Sequence, residues 1–582
     1  MNTVWDLTPI YQGFDDPNFE KDLSELKNQS GLLASLVEKL PETEPLAGLK
    51  EGIAIQERLT VLTEKLALYA ELRQAADTKD TQASSKMGQV MAAYSAVAAP
   101  AAAFQAWAAK VPNLGELAEG DALLKEYSFL LEKMVDSSRY LLSGDGEAVS
   151  ARLSLSGASA WSELQQYLTS TVRVDYRGTV TNLSAIRNLA YDPDEAVRRD
   201  AYAAELKCYP AIQDPVAYAL NAIKLETISD CKLRGYASPL ERTLIHCDMR
   251  RETLDAMLGA IREYLPKFHQ YLKAKAKAMG HDKGLPWYDL FAPMGESSTT
   301  FTTEQARDYL VALFSRFDGE LAEMIRRAFD ESWIDFYPRD GKAGGAFCAG
   351  ASCIGQSRIL TNFDGKLGSV VTLAHELGHA FHNQCIRDHR PLNKDYSMPL
   401  AETASTFNEC VVMAAAIKSA ADDSEKLNLI ESQLQDTTQI ICDILSRFLF
   451  EKAVLDRREE QFMDAGTLCG MMRQAQLEAY GDGLDPDVLH PYMWVCKSHY
   501  YGPTYYNFPY AFGGLFARGL YAQYLKEGAD FLPKYKRLLH TTTVATAEDT
   551  AKVAGIDLTD PDFWRSALQT VADQIDLFRG LV

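Results

Sequence analysis

Apolar residues recur along much of the chain at the spacing of an α-helix. One such stripe near the N-terminal end consists of Ile55, Leu59, Leu62, Leu66 and Tyr69. Steps of three and four residues place side chains on one face of a helix. Residues 437–455 have the same spacing. The pattern therefore predicts a mainly α-helical protein.

Two segments depart from this pattern. Residues 170–184 alternate around Arg177 and Gly178, which predicts a short β-hairpin. Residues 338–366 have five glycines between positions 341 and 355, followed by an extended Ile-Leu-Thr run. We expect loops and two short strands there, with a new helix beginning near Ser369.

Two helix starts are suggested by polar residues and proline. Residues 293–303 predict a Ser/Thr-rich loop, with Thr302 or Thr303 as the N-cap of the next helix. Residues 398–416 predict a further helix, with Pro399 in its first turn.

Composition and charge limit the possible functions. The 582 residues are 47% hydrophobic and 24% charged, as in folded soluble proteins. Lys and Arg total 59 against 80 Asp and Glu, which gives a formal net charge of −21. An acidic surface repels phosphate backbones and anionic membranes. We therefore expect no nucleic-acid partner and no membrane-surface role.

Residues 87–109 contain no charged residue and are long enough on paper to span a bilayer. They are mostly alanine, which gains little on entering lipid. We instead expect a closely packed internal helix pair that is broken at Pro100.

The cysteines and the N-terminus suggest the compartment. None of the ten cysteines forms a CxxC pair, and the first residues have neither the basic nor the apolar segment of a signal peptide. We expect reduced thiols in a cytoplasmic protein.

The helix expected after Ser369 contains His375, Glu376 and His379 in an HExxH pattern. Residues four apart share a helical face, so both imidazoles can bind one metal ion with the glutamate beside it. The apolar neighbours of these residues indicate that the helix is buried. Buried imidazoles and a carboxylate would be costly without a shared partner. The motif therefore predicts a zinc hydrolase.

A catalytic zinc usually takes three protein ligands and a water. The metzincin pattern would need glycine and histidine where this chain has His382 and Cys385, so that class is excluded. The third ligand is expected from the helix at 398–416, as Glu402 or, two turns later, Glu409. His382 is one turn after the second histidine and is a candidate for substrate contact.

Longer runs of sequence around these residues resemble the oligoendopeptidase F branch of the M3 (thimet oligopeptidase-like) zinc metallopeptidase family. The closest similarity lies in Thr372–His382 and Ala401–Glu409. Further matches are spread over nearly the whole length, at Trp5–Leu7, Leu285–Pro293, Gly341–Ala346 and His499–Gly513.

The resemblance implies a large helical metallopeptidase with a deep substrate channel and a small β-sheet next to the HExxH helix. Residues 1–190 would form an N-terminal helical lobe and channel wall, and residues 191–582 the catalytic domain. The family binds one Zn²⁺ and cleaves short peptides. An extended peptide would bind at the edge of the strand around residues 357–363. The oligomeric state stays open.

Site residues follow from the same resemblance. Its metal ligands correspond to His375, His379 and Glu402, and its general base to Glu376. Substrate contacts are expected from Gly344, Gly345, Ala346, Tyr506 and His382.

An aromatic block after residue 498 combines one histidine with five tyrosines, interrupted by glycine and proline. Such a composition predicts a shaped loop rather than a regular helix. Hydroxyls and an imidazole are suitable donors to a developing oxyanion. The resemblance assigns His499, Tyr505 and Tyr510 to the transition state, with the choice between Tyr505 and Tyr506 open.

The expected function is zinc-dependent hydrolysis of internal peptide bonds. A related metallocarboxypeptidase is an alternative, which would need a cation such as Arg339, Lys342 or Arg358 to bind the terminal carboxylate. A helical scaffold with a structural zinc is a more remote alternative.

Overall fold

The computed structural model describes residues 2–295 and 299–582 and is 72% helical. Its described strands form one two-stranded and one three-stranded sheet, and no closed barrel. The predicted mainly α class is therefore confirmed.

The chain folds into two compact units, each assembled from three separate stretches. Unit 1 comprises Met1–Tyr140, Thr299–Val412 and Glu527–Gly555, and unit 2 comprises Leu141–Ser298, Met413–Lys526 and Ile556–Val582. Residue 190 lies inside unit 2. The predicted boundary between residues 190 and 191 therefore does not coincide with a boundary between the two units. The division into 1–190 and 191–582 stays a prediction.

The helices and strands are numbered along the whole chain. Those of unit 1 are α1 (Pro17–Lys39), α2 (Pro45–Ala76), α3 (Thr81–Ser95), α4 (Ala98–Ala108), α5 (Leu114–Gly120), α6 (Ala122–Glu126), α7 (Ser128–Ser138), α15 (Thr303–Phe314), α16 (Gly319–Asp330), β3 (Ile334–Asp335), β4 (Phe347–Ala351), β5 (Gln356–Leu360), α17 (Leu367–Cys385), α18 (Met398–Ala401), the first part of α19 (Thr403–Ser419), α25 (Leu532–Thr541) and α26 (Ala547–Lys552). Those of unit 2 are α8 (Gly144–Ser156), α9 (Ala158–Thr171), β1 (Arg173–Tyr176), β2 (Thr179–Asn182), α10 (Leu183–Asn188), α11 (Glu195–Cys208), α12 (Gln213–Arg234), α13 (Pro239–His246), α14 (Arg251–Ala278), α20 (Asp423–Thr438), α21 (Ile444–Arg458), α22 (Ala465–Tyr480), α23 (Met493–Cys496), α24 (Phe508–Glu527) and α27 (Pro561–Leu581).

The apolar stripe near the N-terminal end lies on α2. All five of its predicted residues are buried in the core of unit 1, where α2 packs against α1 and α3. Burial of a whole helical face is the main source of stability for such a helix. The prediction of an amphipathic helix from this spacing is confirmed.

The uncharged segment 87–109 differs from its prediction. It forms α3 and α4, which are separated at Ala96 and Val97, whereas Pro100 lies in the first turn of α4, where proline is tolerated. Only five of its 23 residues are buried and eleven are exposed, so the expected internal pair is wrong. By length and hydropathy alone Thr81–Ala108 qualifies as a membrane span, and 22% of its most apolar window is buried.

The small sheet of unit 1 has the strand order β3-β5-β4. Strand β5 is central, parallel to β3 and antiparallel to β4. Helix α17 packs on β4 and β5, so the expected sheet beside the HExxH helix is confirmed. The peptide-binding edge was expected on the strand at 357–363, and this is wrong because β5 is flanked on both sides. The outer strand is β4.

The predicted hairpin in unit 2 is confirmed. Strands β1 and β2 pair antiparallel from Tyr176↔Thr179, and the two loop residues Arg177 and Gly178 have φ of 50° and 80°. Positive φ at both loop positions matches the twist of the flanking strands.

Helix boundaries within other predicted segments are more complex. A five-residue π-turn, Gln439–Asp443, separates α20 from α21 inside the segment predicted as one helix. Thr302 caps α15 in a capping box with Gln305. Residues 296–298 of the predicted Ser/Thr-rich loop lie outside the described residues.

Candidate functional site

The HExxH motif lies in the middle of α17, within unit 1. One face of this helix is buried through Leu373, Ala374 and Leu377, among others. The opposite face carries His375 and His379 one turn apart, with side chains that are 23% and 16% exposed. The apolar face therefore packs the helix in place, and the polar face carries the side chains of the candidate site.

Three ligand atoms converge in front of this face. The Nε2 atoms of His375 and His379 are 3.2 Å apart. Glu402 Oε2 lies 3.2 Å from the first and 3.5 Å from the second. A tetrahedral ion with bonds of about 2.0–2.1 Å holds its ligand atoms about 3.3–3.4 Å apart. The triangle thus has the size that one such ion requires.

Glu402 reaches this position because the helix expected at 398–416 is interrupted. The residue ends α18 with φ −89° and ψ 9°, and α19 begins at Thr403. Ser405 Oγ donates a hydrogen bond of 2.8 Å to Glu402 Oε2. The break and this bond orient the carboxylate toward the two histidines.

Helices α17 and α19 come into backbone contact at Gly378. A Cβ atom on Gly378 would lie 2.6 Å from both Ala404 O and Ser405 Cα, closer than real contacts allow. The Asn408 amide donates to the Ala374 carbonyl at 3.0 Å and ties the same two helices together. Glycine at 378 therefore permits the approach that brings Glu402 to the histidines.

Glu409, the competing ligand candidate, has a different position. Its Oε1 lies 2.7 Å from His375 Nδ1, on the far side of the ring from the ligand triangle. A carboxylate on the second nitrogen fixes the tautomer and orientation of a metal-binding histidine. The geometry therefore makes Glu409 a hydrogen-bond partner of His375 and brings Glu402, not Glu409, to the ligand triangle.

Glu376 lies beside the triangle and is 5% exposed. One of its carboxylate oxygens is within 4.8 Å of a ring nitrogen of each histidine. Burial, together with the charges of Glu402 and Glu409, raises the pKa of Glu376 to about 7. A carboxylate with a pKa in this range can accept and return a proton near neutral pH.

The ligand residues titrate very differently from one another. Burial alone would lower the pKa of His375, but the hydrogen bonds to Glu402 and Glu409 raise it to about 10. Burial lowers the pKa of His379 to about 4. Burial alone would raise the pKa of Glu402, but the hydrogen bond to His375 lowers it to about 2. Two imidazole nitrogens and a carboxylate oxygen form a donor set that fits a divalent ion.

His382 does not have the environment of a substrate contact. It is 0% exposed, its Nε2 lies 2.8 Å from Thr542 Oγ1, and its ring stacks on Tyr396 at 4.4 Å and 9°. Burial lowers its pKa to about 3, so the ring is neutral. The predicted contact is wrong because the histidine side chain points into the core of unit 1.

The glycine loop before β4 is accessible. Gly344 and Gly345 are exposed, and Gly345 has φ 79°. The Asn362 amide donates to the carbonyls of Ala343 and Gly345 at 3.0 and 2.9 Å. The backbone that leads through Ala346 into the outer strand is therefore both held in place and open to a ligand.

The aromatic block lies in unit 2, where three of its rings form a cluster. His499 stacks on Tyr506 with ring centroids 5.8 Å apart, and Tyr510 packs edge-on against both rings, at 6.0 and 5.7 Å. His499 Nδ1 is buried and has no hydrogen-bond partner among the residues that the structure describes. The block is only partly a loop, because α24 begins at Phe508.

Tyr505 lies apart from that cluster. It is 3% exposed and packs on Phe448 at 5.2 Å. Its φ of 55° is unusual for a tyrosine and turns the chain between Tyr505 and Tyr506. The geometry does not support the transition-state role predicted for Tyr505, because its side chain is packed into the core of unit 2.

The cations suggested for a carboxypeptidase are already engaged. Arg339 donates to both carboxylate oxygens of Asp335, at 2.6 and 2.8 Å. The Lys342 side chain is 0% exposed and lies 2.8 Å from the same carboxylate. Arg358 donates to the backbone carbonyls of Asp6 and Ser357, both at 2.8 Å. None of the three is available to bind a terminal carboxylate.

Two positions important to this geometry were not anticipated. Gly378 is the one glycine within the HExxH motif, and a glycine inside a helical pattern is a visible exception. Asn408 lies among the mostly polar residues of the first turns of α19, so nothing in the sequence distinguishes it. Only the contact between α17 and α19 shows what each residue does.

Comparison with known proteins gives consistent matches. The model of peptidase family M3 matches residues 188–570, and the oligopeptidase F model of the family's N-terminal region matches residues 97–173. Oligopeptidase PepF of Bacillus subtilis is 25% identical, over 100% of this chain and 87% of its own. Group B oligopeptidase PepB of Streptococcus agalactiae is 24% identical, over 99% and 97%.

Solved structures share the fold. A putative peptidase from Chlamydophila abortus superposes with a TM-score of 0.87 at 20% identity, covering 100% of this chain and 98% of its own. Oligoendopeptidase-F from Enterococcus faecium gives 0.72 at 18% identity, covering 97% and 98%.

Replacing Gly378 by alanine tests the contact between α17 and α19. We expect Gly378→Ala to lower the free energy of unfolding by about 1–3 kcal/mol, because the methyl group meets backbone atoms. Gly368→Ala on the same helix is the control, since a Cβ there meets nothing within 4 Å. Thermal and urea unfolding measure both. Equal effects of the two substitutions would contradict the contact.

Proposed function

The chain belongs to peptidase family M3, and on that premise we propose that it is a zinc-dependent oligoendopeptidase that cleaves internal bonds of short unstructured peptides. The observation that supports this most strongly is the triangle of His375, His379 and Glu402 with Glu376 beside it. Its size and donor types suit a catalytic zinc, which keeps one position open.

We propose His375, His379 and Glu402 as the ligands of one Zn²⁺. When bound, zinc lowers the pKa of a water molecule toward about 7 and polarises the carbonyl of the substrate. Glu409 holds the His375 ring, and Ser405 holds the Glu402 carboxylate. These two contacts keep the ligand atoms in place before the metal arrives.

Glu376 acts as the general base. Its carboxylate takes a proton from the attacking water and later delivers it to the amine nitrogen of the leaving fragment. The buried position of Glu376 keeps this proton from exchanging freely with solvent. The raised pKa of the carboxyl allows both transfers near neutral pH.

We propose His499, Tyr506 and Tyr510 as the hydrogen-bond donors to the substrate and to the oxyanion of the transition state. The role predicted for Tyr505 passes to Tyr506, whose ring stacks on His499. Tyr505 instead shapes the turn that precedes Tyr506.

An extended peptide would bind along the outer strand β4, whose second edge has no strand partner among the described residues. Gly344, Gly345 and Ala346 present backbone donors and acceptors just before that strand. Binding through the backbone accepts many sequences, as a peptidase for varied oligopeptides requires.

We also propose a cytoplasmic location and no nucleic-acid or membrane partner. All ten cysteines are free thiols. Unpaired cysteines, many of them buried, are typical of reducing compartments.

Glu376→Gln should abolish turnover and keep the metal. We expect the rate of peptide cleavage to fall by at least about a hundredfold, because the amide cannot accept the proton. Unstructured peptides of varied length are incubated with both proteins, and the fragments are identified by mass spectrometry. Bound zinc is measured by atomic emission.

The fragments distinguish an oligoendopeptidase, a carboxypeptidase and a non-catalytic scaffold. Internal cuts that the variant loses support the oligoendopeptidase. Loss of single C-terminal residues would assign a carboxypeptidase instead. A protein that binds zinc and leaves every peptide intact would be a scaffold.

Glu409→Gln should weaken zinc binding about 10–100-fold, the usual effect of losing a carboxylate partner of a metal-binding histidine. Competition with a fluorescent chelator gives the dissociation constants. Glu323→Gln, which removes a carboxylate that is 57% exposed on the outer face of α16, is the control. If both variants bound zinc like the unmodified chain, Glu409 would have no role in positioning His375.

Tyr506→Phe should lower kcat by about a hundredfold, whereas Tyr505→Phe should leave kcat nearly unchanged. The two substitutions remove the same hydroxyl from adjacent residues, so each is the control for the other. Steady-state kinetics on one peptide measures both. The reverse order of effects would return the donor role to Tyr505.

A further inference from the structure

Unit 2 contains a cavity whose lining residues have no assigned role in the peptidase function. It has a volume of about 210 Å³. Its walls come from the chain around Ile186–Tyr191, from α11, from the turn Trp287–Phe291 and from Lys497. Tyr191 at this cavity is 58% exposed, so the cavity is accessible from solvent.

Aromatic rings form most of the wall of this cavity. The five rings belong to Tyr191, Tyr202, Trp287, Tyr288 and Phe291. Tyr191 packs against Phe291 with ring centroids 5.0 Å apart, and Tyr202 packs against Tyr288 at 5.9 Å. Flat apolar surfaces of this kind favour a ligand with an aromatic or branched apolar body.

The charged groups of the wall are three cations and one carboxylate. Arg198 is neutralised by buried Asp289, with Nη2 and Oδ1 2.7 Å apart. Arg187 forms an ion pair with Glu205. Glu205 Oε1 also accepts a hydrogen bond of 2.6 Å from Tyr209 and lies 3.1 Å from His490 Nε2. Two of the cations therefore have a fixed counter-charge, and Glu205 is already shared among several donors.

Lys497 is the surplus cation. Within the described part of the chain its ammonium has no hydrogen bond and no carboxylate oxygen within 4.0 Å. Burial lowers its pKa, and its charged neighbours are Asp443, Arg447 and Arg187. Asp443 is itself paired with Arg447. Lys497 is half-buried. A charge held partly out of water is costly unless a partner accompanies it, and among the described residues none pairs with this ammonium.

We propose that this cavity binds a small monocarboxylate, whose carboxylate pairs with Lys497 and whose apolar body packs on the aromatic wall. A cavity of about 150 Å³ is enough to hold benzene, so this one has room for a ring with a carboxylate. A zwitterion fits less well, because its ammonium would meet Arg187 and Arg198. The inference does not depend on the peptidase function.

Calorimetric titration of the full chain tests the proposal, with benzoate as the probe and phenylmethanol as its neutral match. We expect benzoate to bind at least about tenfold more tightly than phenylmethanol, because a carboxylate gains a charge-assisted contact. Benzylamine, of opposite charge, should not bind. Equal affinities for benzoate and phenylmethanol, or no heat with benzoate up to about 20 mM, would overturn the proposal.

Lys497→Met locates the site. This variant keeps the length of the side chain and removes the charge, and we expect benzoate affinity to fall about tenfold or more. Lys283→Met is the control, since Lys283 is 73% exposed and pairs with Asp487 at the surface. Circular dichroism confirms that both variants fold. Benzoate binding that survives in Lys497→Met but disappears with a zinc chelator would belong to the metal site and would overturn the assignment.

Discussion

Backbone contact between α17 and α19 is the constraint on which the candidate metal site depends. At Gly378 the two chains are so close that a single methyl group would collide with Ala404 and Ser405. The hydrogen bond from Asn408 to Ala374 holds this approach one turn away. Only at this separation does the carboxylate of Glu402, at the α18–α19 junction, reach the histidines of α17. The apolar packing of α17 on the sheet of unit 1 gives the contact a rigid base.

The same approach concentrates charge in a confined space. Three carboxylates, of Glu376, Glu402 and Glu409, surround two imidazoles in surroundings that are largely shielded from water. The neighbouring carboxylates raise the pKa of His375 to about 10, and burial together with Glu402 and Glu409 raises the pKa of Glu376 to about 7. Protonation of either group reduces the repulsion among the carboxylates. A divalent cation would replace the His375 proton and balance the charge better. The polar cluster is therefore costly as a purely structural element and well suited to an ion.

Local patterns in the sequence predicted local structure well. The stripe on α2, the hairpin at Arg177-Gly178 and the spacing of His375 and His379 needed only neighbours within a few residues. Non-local arrangements were mispredicted. Strand β5 is central because β3, which precedes the predicted segment 338–366, pairs with it. His382 is buried because Tyr396 and Thr542 cover it. The break at Glu402 also escaped the pattern, since neither glycine nor proline lies next to it to mark the end of a helix.

Tertiary contacts give Tyr505 and Tyr506 different surroundings, although their spacing in the sequence does not distinguish them. A tyrosine in the left-handed region costs about 1–3 kcal/mol and persists only where the surroundings fix it. Here Asn507 fixes it: its N–H donates to Tyr505 O at 2.7 Å, and its side-chain amide donates to Glu451 Oε2 at 2.8 Å. Glu451 is held in turn by buried Lys224 at 2.6 Å. This buried ion pair anchors the turn, and the turn sends Tyr505 into the core and Tyr506 onto the ring of His499. The strained backbone thus orients one hydroxyl, and this is why different roles are proposed for two adjacent tyrosines of identical chemistry.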